Sequence, residues 1–190
     1  MKALVFLADG FEEIEALTPV DYLRRAGVEV TVCATATSSR TVNGAHGIQV
    51  LADMTLDSWV DAGEELPDAV IVPGGMPGAK NISECQTALS IIEKSHDAGK
   101  LVCAICASPA VVLSKTSLLK GKKWTCYPDM ESIAGEEACA LFRDDAPFVH
   151  DKNLITGRGP GAAEEFAMEI VKSLCGEEVK AKIKKASVQR

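Results

Sequence analysis

Cys106 stands directly after the apolar run 100–105 (KLVCAI) and directly before Ala107, Ser108 and Pro109. A strand ending at Ile105 and a helix opening near Pro109 leave this thiol on a tight strand-to-helix turn, the nucleophile-elbow arrangement. Small neighbours at Ala104, Ala107 and Ser108 let such a turn close. Pro109 suits a first helical turn, where a missing N–H costs nothing. A thiol so placed faces free N–H groups and the positive end of a helix, so a lowered pKa is expected. The competing reading is an inert, buried Cys.

Three further groups fall at turns that can meet this one. Gly74 and Gly75 follow the run 69–73 (AVIVP), and glycine lets a turn aim backbone N–H groups at a ligand. With the Ala107 N–H they would form an oxyanion hole beside Cys106. Glu12, Glu13 and Glu15 follow Asp9-Gly10 after the first apolar run. Glu12 and Glu13 are accounted for as acids at a helix N-terminus. Glu15 lies one turn after Phe11 and Glu12, on the side that must meet the rest of the fold. Arg158 opens R-G-P-G (158–161) before a helical pattern, which reads either as an anion site or as a capping loop.

Other chemistry is less well supported. Cys103 and Cys106 match C-x-x-C, but Cys103 falls inside a strand, so a redox dithiol or metal pair is disfavoured, and no zinc-type ligand cluster exists. His46, His96 and His150 all lie away from the Cys, so no local Cys–His dyad forms. No G-x-G-x-x-G follows the first run, which argues against a flavin or nucleotide carrier. No metal and no cofactor are expected.

The positioning elements follow from pattern. The runs 2–8, 28–34, 69–73 and 100–105 are short, continuously apolar and bounded by Gly, Pro or Ala, as strands buried on both faces are. Helical spacing over 11–26, 86–98, 106–114 and 162–174 alternates with them, giving βαβ units in a three-layer α/β sandwich with a mostly parallel central sheet. Segment 41–51, with Asn43-Gly44 and His46-Gly47, predicts a small antiparallel excursion. A hairpin is expected around Asp151-Lys152-Asn153. Residues 1–190 read as one domain, without repeats or linkers. Ligands of open α/β sheets sit at the carboxyl ends of the strands, where the four chemical turns fall.

Composition narrows the class. The chain is 47% hydrophobic and 25% charged, as a globular protein is, and no apolar run reaches the ~18 residues of a membrane span. The net charge of −7 opposes nucleic-acid binding as a main role, and the cations Lys180, Lys182, Lys184, Lys185 and Arg190 read as a solvated last helix. Seven Cys without a secretory leader imply free thiols and a cytoplasmic setting.

The segments LADGFEEIEALTPVDYLRRAG (7–27), IVPGGMPGAKNI (71–82), LVCAICASPAVVL (101–113) and ITGRGPGAAEEFAMEIV (155–171) together resemble the ThiJ/PfpI superfamily, in the branch of the Parkinsonism-associated deglycase. The resemblance implies a flavodoxin-like fold and Cys106 as the reactive thiol. It also implies Glu15 as its carboxyl partner, Gly74, Gly75 and Ala107 as N–H donors, and Arg158 near the pocket mouth. The family habit is a homodimer with residues of the first helix in contact, and in this chain Phe11, Pro19 and neighbouring apolar groups are expected near the partner.

Two departures bear on chemistry. Peptidase-like members carry His directly after the Cys, where this chain has Ala107, so proteolysis is not expected. In the best-known member a T-H-P tripeptide brings a His to the Cys; the matching residues here are Cys126, Tyr127 and Pro128. The resemblance implies a cofactor-free enzyme on small dicarbonyls or glycated groups, of glyoxalase or deglycase type. The alternative is a non-enzymatic oxidative-stress sensor or redox-regulated chaperone using the same oxidisable Cys106.

Overall fold

The computed structural model describes residues 1–189, so Arg190 lies outside the described residues. β1 (Lys2–Leu7), α1 (Glu13–Arg25) and β2 (Glu29–Ala34) make the first βαβ unit. β3 (Thr41–Asn43) and β4 (Gln49–Leu51) pair antiparallel as the expected excursion, apart from the main sheet. β5 (Met54–Thr55), α2 (Leu56–Asp61), β6 (Ala69–Val72), α3 (Gly78–Glu84), α4 (Gln86–Asp97) and β7 (Leu101–Ile105) follow. Then come α5 (Ala107–Val111), α6 (Glu136–Cys139), β8 (Phe148–Asp151), β9 (Leu154–Gly157), α7 (Ala163–Cys175) and α8 (Glu177–Ala186).

The main sheet has seven strands in the order β5-β2-β1-β6-β7-β9-β8. All neighbours are parallel except β8, which returns antiparallel along β9 through the turn at Asp151–Asn153. β6 and β7 are buried along their whole length, which is why their sequences are unbroken apolar runs, and β9 is as buried but carries Thr156, whose Oγ1 accepts from the Thr125 N–H at 2.9 Å. Helices α1 and α7 pack together on one face, while α3, α4 and α5 share the other. The fold class read from the sequence is the one observed, a three-layer α/β sandwich of flavodoxin-like type.

The order of strands sets the location of the site. From β1 the chain moves outward to β2 and β5, then crosses back to β6 and proceeds the other way to β7 and β9. The crevice beyond the carboxyl ends of β1 and β6 is therefore the topological switch point. Asp9-Gly10 and Pro73-Gly74-Gly75 are the turns that flank it, with Cys106 at the end of the next strand.

Some elements differ from the sequence reading. The helix expected over 106–114 is a five-residue helix followed by a 3-10 turn at Leu113–Lys115. α2 and α3 lacked a visible period because they are six and seven residues long. The sequence signal for α2 is its cap, since Thr55 Oγ1 accepts from the Ser58 N–H at 3.2 Å.

Candidate functional site

Cys106 sits between β7 and α5 with φ 64° and ψ −116°, a strained conformation for a residue with a Cβ. Two backbone bonds hold it there. Its N–H donates to the Gly157 carbonyl at 2.9 Å, and its carbonyl accepts from the Tyr127 N–H at 2.8 Å. A third bond fixes the helix behind it, from Ser108 Oγ to the Pro73 carbonyl at 2.6 Å. Ser108, read from sequence only as a small neighbour, thus ties the elbow to the Gly74–Gly75 turn.

Glu15 comes to the elbow from the opposite side of the switch point. It lies on the buried face of α1 with Ala16, Val20 and Leu23, and it is fully shielded from solvent. The Gly74 N–H donates to its Oε2 at 2.9 Å. Its Oε1 has no hydrogen-bond partner. The Cys106 side chain is the neighbour that acts on this carboxyl. A Cβ built on Gly74 would lie 2.6 Å from both Cys106 Cβ and Glu15 Oε2, so glycine is what lets thiol and carboxyl meet.

The electrostatics differ from the sequence expectation. Burial pushes the Cys106 thiol well above its ordinary range, and the neighbouring Glu15 carboxylate adds to this. The N–H groups of Gly75 and Ala107 pull the other way. A lowered thiol was expected from the helix N-terminus, but α5 has only five residues and the Cys is 8% exposed, so desolvation wins. Burial in turn raises the Glu15 carboxyl to about 7, helped by the charge of Glu12 and opposed by the thiol and the Gly74 N–H. Below about pH 7 both groups of the pair are protonated, and above it the carboxyl is ionised beside a thiol that keeps its proton.

The donor set is also revised at one position. The backbone N–H groups of Gly75 and Ala107 act on the Cys106 thiol by lowering its pKa. Gly74 does not, because its N–H is committed to Glu15. Arg158 is not at the thiol. Its guanidinium donates to the Asp144 carbonyl, and it lines a separate groove with Tyr127 and Pro160.

Two acids read from sequence as ordinary helix-start residues do more. Glu12 caps α1 by accepting from the Glu15 N–H at 2.7 Å, and its own N–H donates to the Gly74 carbonyl at 3.0 Å. Glu13 is buried and accepts from the His46 N–H at 2.7 Å, with His46 Nδ1 2.8 Å from its other oxygen. His46 lies far from Glu13 in sequence, so only the folded excursion discloses this contact. Glu12, Glu13 and His46 are the one grouping among the described residues whose ligand atoms lie close enough to hold a metal ion. His96 pairs with Lys122, and His150 with Glu169, so neither serves Cys106.

A sequence model of the DJ-1/PfpI family matches residues 1–173. The chain belongs to the DJ-1/PfpI family. It is 38% identical over 177 residues to protein dj-1beta of Drosophila melanogaster, covering 93% of this chain and 91% of that one. The crystal structure of Drosophila DJ-1beta superposes with a TM-score of 0.90 at 36% identity, over 98% of this chain and 97% of that one. Oxidized DJ-1 of Toxoplasma gondii superposes at 0.89 with 34% identity, over 98% and 97%. The chain is 37% identical over 178 residues to protein DJ-1 homolog B of Arabidopsis thaliana, spanning 93% of this chain but 39% of that longer protein. A relative in Caenorhabditis elegans, 32% identical over 178 residues (93% of this chain and 90% of that one), is named glutathione-independent glyoxalase DJR-1.2. DJ-1/PfpI membership accords with the Cys106 elbow and the mostly parallel sheet. No helix among the described residues is long and apolar enough to cross a membrane.

Proposed function

We propose that this chain is a cofactor-independent cysteine enzyme acting on small dicarbonyls, of glyoxalase or deglycase type. The observation that carries the reading is the closeness of Cys106 to a buried carboxyl, Glu15, both 2.6 Å from the place a Cβ on Gly74 would take, with that carboxyl raised to about 7. The glyoxalase name of the C. elegans relative supports it.

In this reading ionised Glu15 takes the thiol proton as sulfur adds to the aldehyde carbon of methylglyoxal. The carbonyl π electrons become an alkoxide, which Gly75 and Ala107 stabilise and to which Glu15 passes the thiol proton, restoring its own carboxylate. Glu15 next removes the hydrogen of the former aldehyde carbon and a proton is returned to the neighbouring carbon. The first carbon is oxidised to a thioester and the second reduced to an alcohol. Water cleaves the thioester, releasing lactate and restoring the thiol. The sum is methylglyoxal plus water to lactic acid, with no outside oxidant. Residues 1–190 act as one domain, paired as a homodimer, in a cytoplasmic setting. All seven Cys being free accords with that setting. Purified protein should convert methylglyoxal to lactate in a steady-state assay, and Cys106→Ser should abolish it. No turnover above the Cys106→Ser background rules the enzymatic reading out.

The second reading has one observation in its favour, the oxidised state named for the T. gondii structure. There Cys106 would act as an oxidation sensor or redox-regulated chaperone, with protonated Glu15 donating to an oxidised sulfur. Retention of this response in a variant lacking dicarbonyl turnover would favour it.

A further inference from the structure

Glu12 and Glu13 stand side by side at the start of α1, and both carboxylates are nearly shut off from water, at 10% and 5% side-chain exposure. Each has one oxygen tied to the backbone and one left over. Glu12 Oε2 accepts from the Glu15 N–H at 2.7 Å, and Glu13 Oε1 accepts from the His46 N–H at 2.7 Å. The two remaining oxygens converge on one imidazole nitrogen. His46 Nδ1 lies 2.8 Å from Glu13 Oε2 and 3.9 Å from Glu12 Oε1, and Glu12 Oε1 has no hydrogen-bond partner among the described residues. The backbone is shaped around this corner. A Cβ on Gly44 would collide with the Glu13 carboxyl, and the Ala45 N–H, donating to the Phe11 carbonyl at 2.8 Å, pins the excursion against the start of the helix. A protonated His46 brings one positive charge to two buried carboxylates and hydrogen-bonds only one of them, so one negative charge is left uncompensated.

We propose that Glu12, Glu13 and His46 bind one divalent transition-metal ion of the zinc class, through Glu12 Oε1, Glu13 Oε2 and His46 Nδ1. The ligand atoms of the three residues all lie within 4.8 Å of one another. Tetrahedral zinc with N and O ligands at about 2.0–2.2 Å sets neighbouring ligand atoms about 3.3–3.6 Å apart, between the two distances that His46 Nδ1 already makes. The ion takes the place of the Nδ1 proton, which moves to Nε2 or is released to water, and draws Glu12 Oε1 inward. The backbone N–H groups on the other carboxylate oxygens keep both ligands oriented, as outer-shell partners do. Imidazole suits zinc and its neighbours in the transition series, whereas Mg2+ and Ca2+ are held by oxygen. The His46 side chain is 70% exposed, so the remaining coordination position opens to solvent. The sequence alone points to no metal here, because the imidazole is 33 positions from Glu13. The site is separate from the thiol chemistry and does not rest on the dicarbonyl reading.

The test is zinc uptake by equilibrium dialysis at micromolar free Zn2+. It is run on the full chain carrying Cys106→Ala, so that the reactive thiol supplies no ligand. One zinc per chain is expected. Its affinity should fall by at least about 100-fold when His46→Ala or Glu12→Gln is added, the upper end of what losing even an outer-shell partner costs. His46 is largely exposed, and Glu12→Gln keeps an oxygen for the Glu15 N–H, so both variants are expected to fold, which circular dichroism checks. Co2+ bound in place of zinc should give d–d absorption without the sulfur-to-cobalt charge-transfer band of a thiolate site. The absence of bound zinc in the Cys106→Ala protein, an affinity unchanged by His46→Ala or by Glu12→Gln in a folded chain, or a cobalt–thiolate band each overturns the proposal.

Discussion

The Gly74 N–H donates to Glu15 Oε2 at 2.9 Å, and the Gly74 carbonyl accepts from the Glu12 N–H at 3.0 Å. One residue, through the two peptide groups on either side of it, thus fixes the start of α1 and holds its buried carboxyl near the elbow. A side chain at 74 would collide with Cys106 Cβ and Glu15 Oε2 at 2.6 Å and with the Ile105 carbonyl at 3.0 Å. Two of these neighbours are the site itself, and the third is a strand backbone that cannot yield cheaply. Gly74→Ala is expected to cost about 1–3 kcal/mol of stability, the usual scale of overpacking, and to remove dicarbonyl turnover. Urea unfolding and a methylglyoxal assay on the same preparation check this. A variant that is folded and fully active would show that the carboxyl and thiol need no such close approach.

Glu15 makes stability depend on pH in an unusual direction. Its carboxyl is raised by burial from the ordinary 4.5 to about 7, so between those values the folded state holds a proton that the unfolded chain releases. Its contribution is fully present below pH 4.5 and is lost as pH rises through 7. A gap of that size corresponds to about 3 kcal/mol. Glu15→Gln keeps an oxygen for the Gly74 N–H but cannot ionise. Relative to the parent protein, it should gain stability as pH rises from 5 to 8. Denaturant midpoints at several pH values read the difference, and parallel curves for the two proteins would contradict the assignment.

The same titration governs rate. Glu15 must be ionised to accept the thiol proton, so kcat/KM should climb through pH 7 and level off above it. Glu15→Gln should lose about 10²-fold or more in turnover, the ordinary worth of a positioned base. It should also make the thiol more acidic, since the Glu15 carboxylate that raises it is gone while the Gly75 and Ala107 N–H groups remain. Iodoacetamide should then label Cys106 faster at neutral pH in Glu15→Gln than in the parent protein. Slower labelling would mean that Glu15 activates the sulfur rather than restraining it.

What the sequence disclosed and what it withheld divide along physical lines. Cys106 was legible because an elbow needs a strand, a reactive residue and small neighbours in immediate succession. Glu15 was legible because a carboxyl on the core face of an amphipathic helix breaks the apolar pattern. The bond of Gly74 to Glu15 was not, since the partners are 59 positions apart and Gly-Gly does not state what its N–H groups face. The Glu13–His46 contact was hidden for the same reason, at 33 positions. The sign of the thiol shift was missed because local sequence shows the helix N-terminus but not the depth of burial opposing it. Phe11 and Pro19, expected beside a partner chain, are buried within their own.

That last correction changes where association is sought. The exposed apolar side chain of α1 is Ile14, at 53%, and the neighbouring excursion exposes Ile48 at 55% and Leu51 at 67%. The excursion is bound to α1 through the Glu13–His46 contact and the Ala45 N–H to Phe11 carbonyl bond of 2.8 Å. These residues therefore ride on one rigid corner at the start of the helix that carries Glu15. Exposed apolar groups gathered at one place mark contact surfaces, and two-fold pairing is the commonest way to cover them. Light scattering at micromolar concentration should give twice the chain mass for the parent protein. Ile14→Glu should reduce it to one chain mass while leaving the fold intact, since the side chain is half exposed. A parent protein that is already monomeric, or an Ile14→Glu variant that stays paired, would place the interface elsewhere or remove it.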